Sequence, residues 1–250
     1  PAFPRATCAL FEYIFHSGCI NPERIVGGEI AAPGEFPYIV SIRVNGYHFC
    51  GGAIIGSKHI LTAAHCLHPL KGRGYQNVYV VTGTNNVKSG GQSHRVADMF
   101  FHQGYDDNGV SWYNDIGVIK LAGPIMYNNA QQAIQLPTSP LPTNVNVVVS
   151  GWGLTGSGSS GVNPTLLQKI LLKTITTQEC QRYYSDIRCS LAEISNVMTF
   201  FLQGDSGGPL AFGDQIYGVV SGGIPCARGM PDVFTSVYHH LQFVRQAMTY

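Results

Sequence analysis

The sequence predicts an all-β fold, a sandwich or a barrel, and three observations carry that expectation. Thirty Gly and 14 Pro divide the chain into short runs rich in β-branched and aromatic residues. Helical periodicity is confined to the tail, and a Pro-rich stretch interrupts the strand rhythm near mid-chain. With 44% hydrophobic and 12% charged residues, the 250-residue chain buries a sizeable core rather than staying solvated.

The strand runs, in order, are Tyr38 to Val44, Val78 to Thr82, Ile116 to Leu121, Val145 to Val149, Leu167 to Ile175, Ile216 to Val220 and Val233 to Val237. Strands this short and this numerous fit a sandwich or barrel. Between Ala133 and Asn144, the piece Gln135-Leu136-Pro137-Thr138-Ser139-Pro140-Leu141-Pro142 links two β domains. The loop from Leu154 to Asn163 is mostly Gly and Ser and reads as a surface turn. In the tail, Val237, Leu241, Val244 and Met248 recur at helical spacing, opposite His239, Gln242 and Arg245, which predicts a helix that docks on the fold.

Charge excludes several functions. A net charge of +1, from 15 basic and 14 acidic residues without a run of like sign, leaves no footprint for nucleic acid or an anionic membrane. No apolar stretch reaches the roughly 20 residues of a membrane helix. The apolar piece from Cys8 to Phe15 is broken by Glu12, so any signal peptide is expected to have been removed or left out of this sequence. Seven cysteines fit an oxidising compartment, and the odd number leaves one thiol without an internal partner. No Cys-x-x-Cys or His-Glu-x-x-His occurs, so no zinc site is expected.

Chemistry concentrates in three segments: Leu61-Thr62-Ala63-Ala64-His65-Cys66, then Asn114-Asp115-Ile116-Gly117-Val118-Ile119-Lys120-Leu121, then Gly204-Asp205-Ser206-Gly207-Gly208-Pro209-Leu210. A serine hydroxyl is a poor nucleophile at neutral pH. It needs an imidazole to take its proton and a carboxylate to hold that imidazole in the productive tautomer. His65, Asp115 and Ser206 supply the three parts. The order His, Asp, Ser excludes the α/β-hydrolase elbow, which also requires alternating strands and helices.

Thr-Ala-Ala-His-Cys and Gly-Asp-Ser-Gly-Gly-Pro, with Ile25-Val26-Gly27-Gly28, Phe49-Cys50-Gly51-Gly52 and Ser150-Gly151-Trp152-Gly153, resemble the landmarks of the chymotrypsin-like serine proteases, invertebrate digestive and collagenolytic members included. The resemblance extends from Ile25 to the C-terminal helix. It implies a double six-stranded antiparallel β-barrel with a C-terminal helix, the first barrel within residues 25–132 and the second within 133–250. The active site falls between them. It further implies a secreted endopeptidase acting on proteins or peptides, a monomer, and a target for protein inhibitors. The backbone N–H groups of Gly204 and Ser206 are expected to form the oxyanion hole, where losing one donor typically costs about 100- to 1,000-fold in rate.

By the same resemblance, Arg24-Ile25-Val26-Gly27-Gly28 is a precursor cleavage site and residues 1–24 are a propeptide. Cutting after Arg24 frees the Ile25 ammonium to pair with Asp205. Cys50 and Cys66 bracket the histidine segment, and their bridge, worth roughly 3 kcal/mol in the chain-entropy picture, would anchor His65. Cys8 with Cys19, and Cys180 with Cys189, are left as open pairings. Ser221-Gly222-Gly223 is expected to pair with an extended substrate. Asp232, where most relatives carry glycine, is expected to let the pocket accept Lys or Arg beside bulky apolar side chains.

The chain also departs from the family. Leu202 stands where a cysteine precedes the serine, leaving Cys226 without its usual partner. The piece from Val197 to Leu202 is short, and an ungapped count places Phe200 at the specificity position. Between Cys66 and Ala97 there is no Asp or Glu, so calcium would lack its hard ligands, and neither metal nor cofactor is expected. A catalytically impaired homologue that binds or regulates other proteins is the rival expectation. An esterase for small molecules is disfavoured by the strand-pairing segment.

Overall fold

The computed structural model describes residues 28–106, 113–153, 164–182, 193–198, 204–222 and 231–250, with 193–198 and 231–233 described by backbone alone. The first half closes on itself. Strands β2 (Ile39–Val44), β3 (Tyr47–Gly56), β4 (His59–Thr62), β5 (Val78–Thr82), β6 (Gln92–Phe101) and β7 (Gly117–Leu121) form a closed barrel in the order β2-β3-β4-β7-β6-β5, every pair antiparallel. Its interior holds Val40, Ile42, Ile54, Ile60, Val80, Met99 and Val118, all buried.

The second half builds a seven-stranded antiparallel sheet from β1 (Glu29–Ile30), β8 (Asn146–Gly151), β9 (Gln168–Lys173), β10 (Glu193–Met198), β11 (Pro209–Phe212), β12 (Gln215–Gly222) and β13 (Pro231–Ser236). Its order is β1-β9-β8-β11-β12-β13-β10. Six of these strands follow the linker. The seventh, β1, comes from the other end of the chain and pairs Glu29 with Lys169 and Ile30 with Gln168. The hydrogen-bonded sheet is therefore open, with β10 curling back beside β9. The sequence boundary near residue 132 is not the boundary between sheets, because β1 covers an edge that β9 would otherwise expose.

The linker crosses between the two units with its backbone engaged on both sides. Ile134 N–H donates to Ile54 O of β3, and Gln135 N–H to Asp214 O beside β12. Helix α1 (Ala64–Leu67) follows β4, α2 (Thr177–Cys180) follows β9, and α3 (Leu241–Ala247) ends the fold. Thr176 and Glu179 cap α2 reciprocally. This turn presents the fully buried Cys180, which is disulfide-bonded. Of the stripe expected in the tail, Val237 and Val244 are fully buried and Met248 packs on the same core, while Leu241 is only half-buried. That core belongs mostly to the first barrel, so the C-terminal helix fastens the second half onto the first.

Candidate active site

His65 sits on α1, directly after the strand that carries Thr62, and the Cys50–Cys66 bridge ties this turn to β3. Asp115 enters from the start of β7 and is 2% exposed. A carboxylate so buried is tolerated when its lone pairs are filled by donors. Three donors fill them. Asp115 Oδ1 accepts from the His65 backbone N–H at 2.8 Å, while Oδ2 accepts from His65 Nδ1 at 2.7 Å and from Ser221 Oγ at 2.6 Å. With Nδ1 donating to Asp115, a neutral ring carries its lone pair on Nε2, on a side chain 30% exposed.

The Ser206 loop meets β3 and the end of β4 through contacts between the two units. Gly51 N–H donates to Ser206 O at 2.8 Å, and Thr62 Oγ1 donates to Gly51 O at 2.8 Å. A Cβ on Gly207 would lie 2.1 Å from Thr62 Oγ1, and φ there is +79°, so only glycine lets the loop come this close. Thr62 is three residues before His65. The same approach therefore brings the serine segment against the histidine segment.

Asp205, also 2% exposed, points away from that contact, and its Oδ1 accepts from Gly153 N–H at 2.7 Å. A Cβ on Gly151 would fall 2.0 Å from Asp205 Oδ1, and one on Gly153 would fall 2.1 Å from Oδ2. The Ser150-Gly151-Trp152-Gly153 landmark is thus a cradle for a carboxylate. Between the two glycines, Trp152 is 1% exposed, with Nε1 donating to Asn85 O.

Sequence reasoning missed two histidines here. His48 Nε2 lies 2.9 Å from Gly204 O and its Nδ1 lies 2.9 Å from Ser41 Oγ. A carbonyl only accepts, so Nε2 donates, and Nδ1 accepts from the Ser41 hydroxyl. This neutral ring satisfies both partners, in keeping with burial that holds His48 below its ordinary range. His240 Nδ1 lies 2.7 Å from Ser236 O and its Nε2 lies 3.1 Å from Asn114 Oδ1, on the residue before Asp115. Burial, with His102 and His239 nearby, pushes His240 down to about 4. An isolated histidine carries no periodicity or spacing, which is why neither stood out.

The other expected site residues are placed as follows. Gly204, at φ +112°, holds its carbonyl on His48. Ser221 and Gly222 end β12, and the Ser221 hydroxyl, assigned from sequence to the substrate strand alone, also braces Asp115. Asp232 lies on β13 opposite Val197, and Val197 and Met198 of the short segment continue β10 to its end. Arg24, Ile25, Gly223, Phe200, Leu202, Cys8, Cys19, Cys189 and Cys226 lie outside the described residues, as does the loop from Leu154 to Asn163. Among the described residues, Cys50, His65 and Cys66 bring three ligand atoms within 4.8 Å of one another, but both sulfurs are spent on the disulfide.

The trypsin family profile matches residues 25–244. The chain belongs to the trypsin family of serine proteases. It is 35% identical over 240 residues to "Trypsin-1" of Astacus astacus, covering 88% of this chain and 98% of that one. To "Trypsin alpha" of Drosophila melanogaster it is 36% identical over 219 residues, 86% and 83% of the two chains. To "Clotting factor G beta subunit" of Tachypleus tridentatus it is 34% identical over 248 residues, 89% and 79%. Mouse neuropsin, described as a serine protease expressed in the limbic system of the brain, shares the fold at TM-score 0.79 and 24% identity, over 88% of this chain and 98% of that one. This trypsin-family chain is a serine protease acting on protein substrates, and among its described residues no helix is long and apolar enough to cross a membrane.

Proposed function

We propose that the chain is a secreted, monomeric serine endopeptidase that works through an acyl-enzyme, with Ser206 as nucleophile, His65 as general base and acid, and Asp115 as the orienting carboxylate. Ser206 Oγ attacks the peptide carbonyl while its proton passes to His65 Nε2. The same proton then goes to the departing amine as the C–N bond breaks. Water repeats the sequence on the ester, releasing the acid and restoring Ser206. The N–H groups of Gly204 and Ser206 hold the oxyanion in both halves. The observation that carries this reading is the Asp115 carboxylate engaged by the His65 backbone, the His65 ring and Ser221 at once.

Cleavage after Arg24 starts the activity. It frees the Ile25 ammonium, which pairs with Asp205 and sets the loop that carries Gly204 and Ser206. The burial of Asp205 supports this, since a cation is strongly favoured beside a carboxylate at 2% exposure. Substrate pairs in extended form along Ser221-Gly222-Gly223. Asp232 gives the pocket a taste for Lys or Arg beside bulky apolar side chains, and protein inhibitors bind the same cleft.

The test compares chain cut after Arg24, uncut chain and a Ser206→Ala variant, each exposed to a serine-reactive phosphonate and a peptide library. Labelling and cleavage in the cut chain alone are expected. Equal activity in the uncut chain removes the activation step. A folded, cut chain that neither labels nor cleaves hands the reading to a non-catalytic binding homologue.

A further inference from the structure

We propose that His240 is a positioning residue for Asp115, acting through the side chain of Asn114. The inference rests on the catalytic reading of Asp115 above. Asn114 immediately precedes Asp115 and sits at φ +55°, a left-handed conformation that Asn adopts more readily than most residues and that persists where the surroundings hold it. Its amide is that hold. Nδ2 donates to Gly104 O at 3.0 Å, and Oδ1 faces His240 Nε2 at 3.1 Å. Gly104 belongs to the loop after β6, while His240 is the residue just before α3, so the amide beside Asp115 lies between both units of the fold.

His240 is itself fixed. It is 3% exposed, Nδ1 bonds to Ser236 O, and its ring meets those of His102 at 5.4 Å and His239 at 5.2 Å. Next to it, His102 packs on Phe243 of α3 and accepts the Gly104 N–H on Nδ1. Asn114, His102, His239 and His240 line a cleft of about 860 Å³ that opens to solvent. The chain from the end of β13 to the histidine is therefore Ser236 O, His240, Asn114, Asp115, His65.

The two ends of the His240 ring both face oxygen. A neutral imidazole has a single N–H, whereas the imidazolium has two. With Ser236 O taking the Nδ1 proton, a neutral ring offers Asn114 a lone pair and draws the amide N–H that Gly104 O also accepts. A protonated ring donates to Asn114 Oδ1 and leaves Nδ2 to Gly104. Asn114 thus has two amide orientations, and the one that serves Gly104 and His240 together requires a donor at residue 240. Burial, and then the facing His102 and His239, oppose protonation of this ring. A residue that always donates removes the competition.

The test uses the chain cut after Arg24, with His240→Ala, His240→Gln, Asn114→Ala and the double variant His240→Ala/Asn114→Ala, beside wild type and Ser206→Ala. His240→Ala is expected to lower kcat about 10- to 100-fold with KM unchanged, the cost of a displaced catalytic group. Asn114→Ala loses a comparable amount, and the double variant loses no more than the worse single one. His240→Gln, whose amide always donates, recovers most of the rate. The low-field proton resonance of His65 Nδ1–H, read without any substrate, moves in His240→Ala and stays in His240→Gln. An unchanged kcat and resonance in His240→Ala, or losses that multiply in the double variant, overturn the proposal. If wild type fails to label while the His65 resonance still responds to His240, the catalytic reading falls and the positioning survives. Should His240→Ala not fold, His240→Gln and Asn114→Ala decide by the same resonance.

Discussion

At the scale of single residues, the site is governed by where side chains are absent as much as by where they are present. Asp205 occupies the space that a Cβ at 151 or 153 would need. Gly153→Ala is therefore expected to lose about 1–3 kcal/mol by overpacking and to slow labelling by phosphonate as the Ser206 loop shifts. Chemical denaturation and the labelling rate read both effects, and a variant with wild-type stability and rate would contradict the cradle. His65, Asp115 and Ser206 stood out in the sequence because each lies in a motif whose neighbours have jobs: Thr62 touches Gly51 and Gly207, and Gly207 lets the two segments meet. His48 and His240 were not legible. Their partners, Gly204 O and Asn114 Oδ1, lie more than 100 positions away in the chain, and no local pattern encodes such a pairing.

At the scale of elements, the strands that sequence reasoning placed are the apolar ones: Val78 to Thr82 coincides with β5, and the runs at 39–44, 117–121 and 168–173 fall within a residue or two of the readings. The strands it passed over, β3, β6 and β11 among them, carry glycine, charge or proline within their span and take their identity from the neighbours they pair with. The turn of α1 is too short to stand alone, at four residues. Its disulfide does what its length cannot. Cys50→Ala/Cys66→Ala is expected to cost roughly 3 kcal/mol for a bridge that spans 16 positions, with a larger loss in kcat than in KM because His65 rides on that turn. Urea titration and steady-state kinetics measure the two, and an unaltered kcat in a folded variant would show that α1 holds its shape unaided.

For the whole molecule, buried histidines set the response to acid. Burial holds His48, His59, His94 and His102 below their ordinary value, and His240 falls from 6.5 to about 4. Between those two pH values the unfolded chain binds more protons than the folded one, so stability rises with pH across this window and is lost as pH falls through it. The urea midpoint is expected to decline steadily from neutral pH down to pH 4 and to decline less in His240→Gln. Equal slopes in the two proteins would assign the acid response to other groups. The two-unit plan was visible in the Pro-rich linker, yet the sheet membership of β1 was not, since two residues carry no periodicity.

That short strand also sets a leash. β1 pairs with β9, and β9 pairs with β8 so that Ile30 and Gly151 flank the same residue, Gln168. Two strand spacings put Gly151, and the Asp205 carboxylate against it, about 10 Å from β1. The four covalent steps from Glu29 back to Ile25 span at most about 14 Å. A terminus freed at residue 25 has reach to spare for a swing across one strand, whereas one trimmed back to residue 27 has about 7 Å and falls short. On the activation proposed above, the anchoring of Glu29 and Ile30 makes the site of the cut a ruler, on which two residues would separate a terminus long enough to arrive from one too short.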